Sequence, residues 1–181
     1  MKPIQNYETV QESTGEFLKP KAGGYICKIT NAIDVPMGAD GKGDYLLLEY
    51  DIASGDLRDY YKQANEKFGG RWWATFMRSY KQTALGMFKH FTNCVENSNI
   101  GYKWDWNENG LVGKFIGLVL GEEEYIKNDG SVGTRLYVKY IKTIEEIQNG
   151  DFKIPELKKV EKPSASFDDF TPITDDELPF N

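Results

Sequence analysis

Along this chain, apolar and polar residues alternate with period two in several separate stretches, and recur at helical spacing in others. In residues 23–35, GGYICKITNAIDV, the residues Tyr25, Cys27 and Ile29 fall on one side and Lys28 and Thr30 on the other, after a Gly pair that marks the entry; this pattern predicts a half-buried strand. Residues 35–44 combine Pro36 with three glycines and read as a loop. Residues 45–53 put Leu46, Leu48, Tyr50 and Ile52 on one face, a second strand whose outward face carries Glu49 and Asp51. Residues 54–70 fit two patterns: a helical stripe of Leu57, Tyr61, Ala64 and Phe68 ended by Gly69, or a continuation of the sheet through 58–62. The expectation is a short strand turning into a helix.

A third strand is predicted over 71–78, with Trp72, Ala74 and Phe76 inward and Arg71, Trp73 and Thr75 outward. The clearest helix follows, with Ala84, Phe88, Phe91 and Val95 at helical spacing and Ser79 with Gln82 as a capping box. Residues 114–121 are apolar on both faces, a buried fourth strand. The turn signal NDG at 128–130 leads into a fifth, where Leu136, Val138 and Tyr140 alternate with Arg135, Tyr137 and Lys139. Thr143 and Glu146 form a second capping box for a short helix that stops at Gly150. The resulting order, β-β-β-α-β-β, makes the chain mainly β and matches the OB-fold, a five-stranded barrel that binds oligonucleotides across strands two and three and through two of its loops. An α+β sandwich shares that element order. The expected division is an OB-fold-like nucleic-acid-binding domain over 1–157 and a flexible acidic tail over 158–181.

Composition alters this picture mainly through where the charge lies. The net charge is −6, yet residues 161–181 carry six acidic residues and one lysine, so the first 160 residues are nearly neutral. Residues 56–90 are basic and also contain the Tyr60–Tyr61 and Trp72–Trp73 pairs. With 40% hydrophobic residues the chain can bury one core. It shows no signal-peptide pattern and no apolar run long enough for a membrane span, so a cytoplasmic protein without membrane contact is expected. Cys27 and Cys94 sit in apolar patterns without metal-knuckle spacing and read as buried, reduced thiols.

If the apolar faces point into a barrel, the outward residues are Arg71, Trp73, Thr75, Arg135, Tyr137 and Lys139, with Arg58, Tyr60 and Lys62 close in sequence. Rings that stack on bases and cations that line a phosphate path are how single strands are held regardless of sequence. The acidic outer face of the second strand counts against a groove there. GYKWDWNENG, with Tyr102, Trp104 and Trp106, reads as a cap on the barrel end or as another stacking surface. Glu122, Glu123 and Glu124 beside Asp105 raise a metal-dependent nuclease as an alternative, although adjacent carboxylates on a strand end point to opposite faces and read as solvated. His90 lies off the helix stripe and reads as exposed. No Gly-rich phosphate loop occurs, and no cofactor or metal is implied.

The chain ends in DDELPFN. Asp175, Asp176, Glu177, Leu178, Pro179 and Phe180, behind an OB-type barrel, resemble the C-terminal tip of bacterial single-stranded DNA-binding proteins. That resemblance implies docking on replication, recombination or repair proteins, with the Phe ring in an apolar pocket and the carboxylates on a basic rim. The family's tip normally ends on the Phe, whereas Asn181 follows Phe180 here. The stretches AGGYICKI, YLLLEYDIASGD, FKIPELKK and NIGYKWDW resemble small proteins of phages and mobile elements of Gram-positive bacteria, taken as single-stranded DNA-binding candidates. Together these imply a non-enzymatic, sequence-tolerant single-stranded DNA-binding protein, possible as a homo-oligomer, that recruits partners through its tail. A nuclease and a protein-interaction adaptor that binds no nucleic acid are the alternatives.

Overall fold

The computed structural model describes residues 18–39, 41–70 and 72–160. Five antiparallel strands form one sheet: β1 (Gly23–Val35), β2 (Tyr45–Ile52), β3 (Thr75–Ser79), β4 (Phe115–Ile126) and β5 (Val132–Lys142), in the spatial order β3-β2-β1-β4-β5. Three helices accompany it: α1 (Tyr60–Phe68), α2 (Leu85–Ser98) and α3 (Ile144–Asn149). The chain is thus mainly β with the expected order, plus α1 between β2 and β3. The sheet is open and not a closed barrel: among the described residues no strand pairing joins β3 to β5. Its two edges nevertheless line one cleft. Four strand spacings would separate them by roughly 19 Å in a flat sheet, so the sheet is strongly curled.

The alternation read from the sequence sets the inner face. Cys27 and Ile29, then Leu46, Leu48, Tyr50 and Ile52, then Ala74 and Phe76, then Ile116, Leu118 and Leu120 are all buried in one core. α2 closes that core with Phe88, Phe91, Cys94 and Val95, and Phe76 meets Phe91 edge to face at 6.0 Å. Trp104 packs on Phe88 at 6.2 Å and helps to cap this end, whereas Trp106 stays exposed. Cys27 and Cys94 are buried free thiols, and burial raises the pKa of both, that of Cys94 to about 11.

The apolar character of β4 on both faces has a direct cause: α2 covers one face and α3 packs on the other. Gly117 makes the second contact possible, because a Cβ there would come within 2.5 Å of Ile147 and 2.6 Å of the Thr143 carbonyl. α3 begins as expected, with Thr143 Oγ1 accepting from the Glu146 N–H, Glu146 Oε2 accepting from the Thr143 N–H, and Gly150 ending it at φ 74°. Beyond Leu120, β4 has no β1 partner, and Lys158 occupies that place: its N–H donates to the Glu122 carbonyl at 3.0 Å and its carbonyl accepts from Glu124 at 2.9 Å.

Four local expectations are corrected. Residues 54–59 form turns, not a strand, and only the helix of the expected strand-to-helix segment forms. Ser79 belongs to β3, where its Oγ accepts from the Lys81 N–H, so no Ser79/Gln82 capping box exists and a 3₁₀ turn at Gln82–Ala84 precedes α2. A bulge in β5 lets Leu120 pair with Val138 while Val119 pairs with Tyr140, and Lys139 is the extra residue. The alternation therefore inverts: Tyr140 is exposed and Ile141 buried. Glu122, Glu123 and Glu124 lie within β4, not at a solvated strand end.

Candidate nucleic-acid interface

A cleft of about 820 Å³ lies between the β3 and β5 edges. Its first wall starts from the Trp72–Trp73 pair. The Trp72 indole N–H donates to the Tyr50 carbonyl at 3.1 Å, and its ring packs on the core. The third strand begins only at Thr75, so Trp72 and Trp73 precede it, in a turn where the Thr75 N–H donates to the Trp73 carbonyl at 3.0 Å, and Trp73 is 82% exposed on the cleft. α1 adds Tyr60 and Tyr61, edge to face at 5.1 Å, and Tyr61 meets Tyr50 the same way at 5.6 Å. Burial raises the pKa of the Tyr50 and Tyr61 phenols, so both stay neutral hydrogen-bonding groups.

The opposite wall comes from the β4–β5 hairpin. Tyr137 lies over Gly121, where a Cβ would be 2.9 Å from its ring. Arg135 sits 5.6 Å from the centre of the Tyr125 ring, and its Nε donates to Glu123 Oε1 at 2.7 Å. That cation is thus shared with a carboxylate, which Lys158 also approaches at 3.5 Å. Aromatic area is the main resource of this cleft; its net charge is small.

A second cleft, about 750 Å³, is lined by Lys28, Arg58 and Lys62 against Asp51 and Asp59, a small cationic excess, beside Trp72 and Phe115. It meets the first at the Trp72–Trp73 pair and at α1, which turns Tyr60 and Tyr61 to one cleft and Lys62 to the other. Asp51 sets the helix in place. Its carboxylate accepts from the backbone N–H groups of Ile52, Tyr61 and Lys62 at 2.8, 3.0 and 2.9 Å. Asp51 is only 4% exposed, which corrects the expectation of an outward, phosphate-repelling acid. Burial raises its pKa, and the three donors pull the other way. Arg58 lies 3.6 Å from Asp59, while among the described residues Lys28 and Lys62 form no ion pair.

The residues singled out in the sequence are therefore split. Tyr60, Trp73, Arg135 and Tyr137 share the aromatic cleft, and Arg58 and Lys62 share the basic one. Lys139 lines neither; it stands at the bulge, 5.6 Å from the Tyr140 ring centre. Arg71 and Asp175, Asp176, Glu177, Leu178, Pro179 and Phe180 lie outside the described residues. Sequence reasoning missed Lys28, Tyr61 and Tyr125. Lys28 was legible as an outward residue of β1, but only the fold brings it to α1. Tyr125 was hidden by the reading of the Glu triplet as a strand end. Glu122 Oε1 accepts from the Ala22 N–H and Glu124 Oε2 from the Val160 N–H. Among the described residues no three His, Cys, Asp or Glu side chains are grouped to hold a metal ion, and no helix is long and apolar enough to cross a membrane. The exposed His90 bonds through Nε2 to the Ile141 carbonyl at 3.0 Å. No family model and no curated protein matches the chain.

Proposed function

We propose that the chain is a non-enzymatic, sequence-tolerant single-stranded DNA-binding protein, and that its curled sheet is an OB-type barrel left open between β3 and β5. An OB-fold is itself only partly closed. The observation that carries this reading is the exposed Trp73, standing with Tyr60, Tyr125 and Tyr137 on one cleft that joins the cleft of Lys28, Arg58 and Lys62. Unpaired bases stack in the first, and the phosphates that connect them pass toward the second. Stacking is indifferent to base identity, which makes the binding sequence-tolerant. A duplex keeps its bases stacked on one another and gains nothing from the rings.

Titration of labelled oligo-dT and of a duplex of equal length tests this. The single strand is expected to bind more tightly, and both to weaken as salt rises because phosphate contacts release counterions. Equal affinity for the duplex refutes the stacking role. The tip at Asp175–Phe180 is assigned, from its resemblance alone, to recruitment of replication, recombination or repair proteins. Phe180→Ala is expected to lose partners in a pull-down while leaving oligo-dT affinity unchanged, and unchanged partners refute that assignment.

A further inference from the structure

A third concavity lies apart from both clefts, where the chain leaves β3. It is about 250 Å³ in volume and is built from Tyr80, Phe88, Trp104 and Trp106 around Leu46, with the carboxylates of Asp34 and Glu108 at its edge. The four rings face several directions. Tyr80 meets Phe88 at 67°, Phe88 meets Trp104 at 65°, and Trp104 meets Trp106 at 56°, with centroids between 5.6 and 6.2 Å, while Phe88 and Trp106 lie nearly parallel, 9° apart at 6.4 Å. Phe88 is the buried floor, and Trp106 is an exposed rim, 81% accessible. The position of that rim is held by the backbone. Glu96 accepts from the Trp104 N–H at 2.9 Å and from Lys103 at 2.8 Å, and Trp106 sits at φ 66°, a conformation that side chains other than glycine rarely adopt. Such outliers persist where the surroundings fix them, and they gather at functional sites.

Charge distinguishes this site from the other two. Among the described residues no cation lines it and neither Asp34 nor Glu108 has an ion-pair partner, while Asp34 accepts from the Tyr80 hydroxyl at 2.8 Å. Ring faces carry negative potential and attract cations within about 6 Å, most strongly on Trp; two carboxylates add to that potential and repel phosphate. We propose that this pocket binds an alkylammonium cation, presented as a lysine side chain of a partner protein. Tyr80 and Trp104 are inclined to the parallel Phe88 and Trp106 rings, and rings set at such angles surround a compact tetrahedral head better than a planar group. The volume is below that of ordinary small-molecule sites, roughly 300–1,000 Å³, and fits the end of a side chain. The inference is independent of DNA binding in the clefts.

The test follows the indole N–H resonances of Trp104 and Trp106 in the full chain during titration with N-acetyl-lysine methylamide. Saturable shifts are expected, with affinity about tenfold weaker for the neutral norleucine analogue, in line with a desolvated cation–π contact. Trp106→Ala, at an exposed position, should abolish the shifts. Asp34→Asn, which keeps the acceptor for Tyr80, should weaken them. Three results overturn the proposal: no saturable shift with the lysine probe, equal binding of the norleucine analogue, or tighter binding of the arginine analogue. If oligo-dT moves these two resonances, the pocket is a base-stacking surface and the assignment to an ammonium is wrong.

Discussion

Two aromatic surfaces flank β3, one where the chain enters at Trp73 and one just after it leaves, at Tyr80. Each presents one Trp more than four-fifths exposed and backs it with other rings. They differ in what surrounds the rings. The entry cleft adjoins one where Lys28, Arg58 and Lys62 outnumber Asp51 and Asp59, whereas the exit pocket is edged by Asp34 and Glu108 with no cation among its lining residues. Aromatic content by itself thus says little about the ligand; the sign of the neighbouring charge selects between a polyanion that offers bases and a cation that offers its charge.

The strongest test of the difference acts on adjacent residues. Trp72→Ala, which removes a ring packed on the core and its bond to Tyr50, is expected to cost about 3 kcal/mol of stability in denaturant unfolding. Trp73→Ala is expected to leave the unfolding midpoint in place and to weaken oligo-dT binding by about 1–3 kcal/mol, roughly 5- to 150-fold, for every base composition. Trp106→Ala should leave that affinity unchanged. A DNA defect equal to that of Trp73→Ala would merge the two surfaces into one.

Removing charge gives a smaller, differently shaped effect. Arg58→Ala combined with Lys62→Ala should weaken oligo-dT binding and flatten its log–log salt dependence by roughly 1.4, the value for two single-strand phosphate contacts. An unchanged slope would detach the basic cleft from the aromatic one. Smaller again is Gly121→Ala, whose Cβ would press on Tyr137 at 2.9 Å and displace its ring. A loss of affinity below that of Trp73→Ala is expected, and no loss at all would remove Tyr137 from the stacking surface.

The smallest effect concerns pH and the exit pocket alone. Bonds from Lys103 and from the Trp104 N–H hold the pKa of Glu96 below the usual Glu range. With the folded value depressed, the contribution of Glu96 is fully present above the ordinary Glu pKa and is lost as pH falls through the folded value. Near-ultraviolet dichroism from Trp104 and Trp106 is therefore expected to stay constant from neutral pH down through the ordinary Glu pKa and to decline only on the acid side of it. A decline near neutral pH would mean that another group holds the loop.

Much of the fold was legible because it rests on local periodicity. The inward residues of β1 and β2 and the α2 residues Phe88, Phe91 and Val95 follow from spacing alone, and the cap of α3 follows from Thr143 and Glu146. The errors arise where one residue changes the phase or where a partner is distant. A bulge at Lys139 inverts the end of β5, and no local signal marks it. Asp51 looked like an outward acid because its three backbone donors include two from a helix start ten and eleven residues away. The site was legible as residue types but not as a place: Trp73 leads into β3 and Tyr137 lies in β5, at the two ends of the strand order, and only the curl of the sheet brings them to one cleft.

The pairing of β1 with β4 also bears on how the chain folds. β1 and β2 form a hairpin from near neighbours, as do β4 and β5, so the pairing within each is local in sequence. Joining them pairs Lys28 with Phe115, which must wait until β2, β3 and α2 have all been laid down. Closing so long a loop costs little more than closing one half as long, about 0.6 kcal/mol per doubling, so this topology barely lowers equilibrium stability. Its influence falls on rate, because non-local pairing slows the search. During synthesis one edge of β1 stays without its neighbour until β4 arrives.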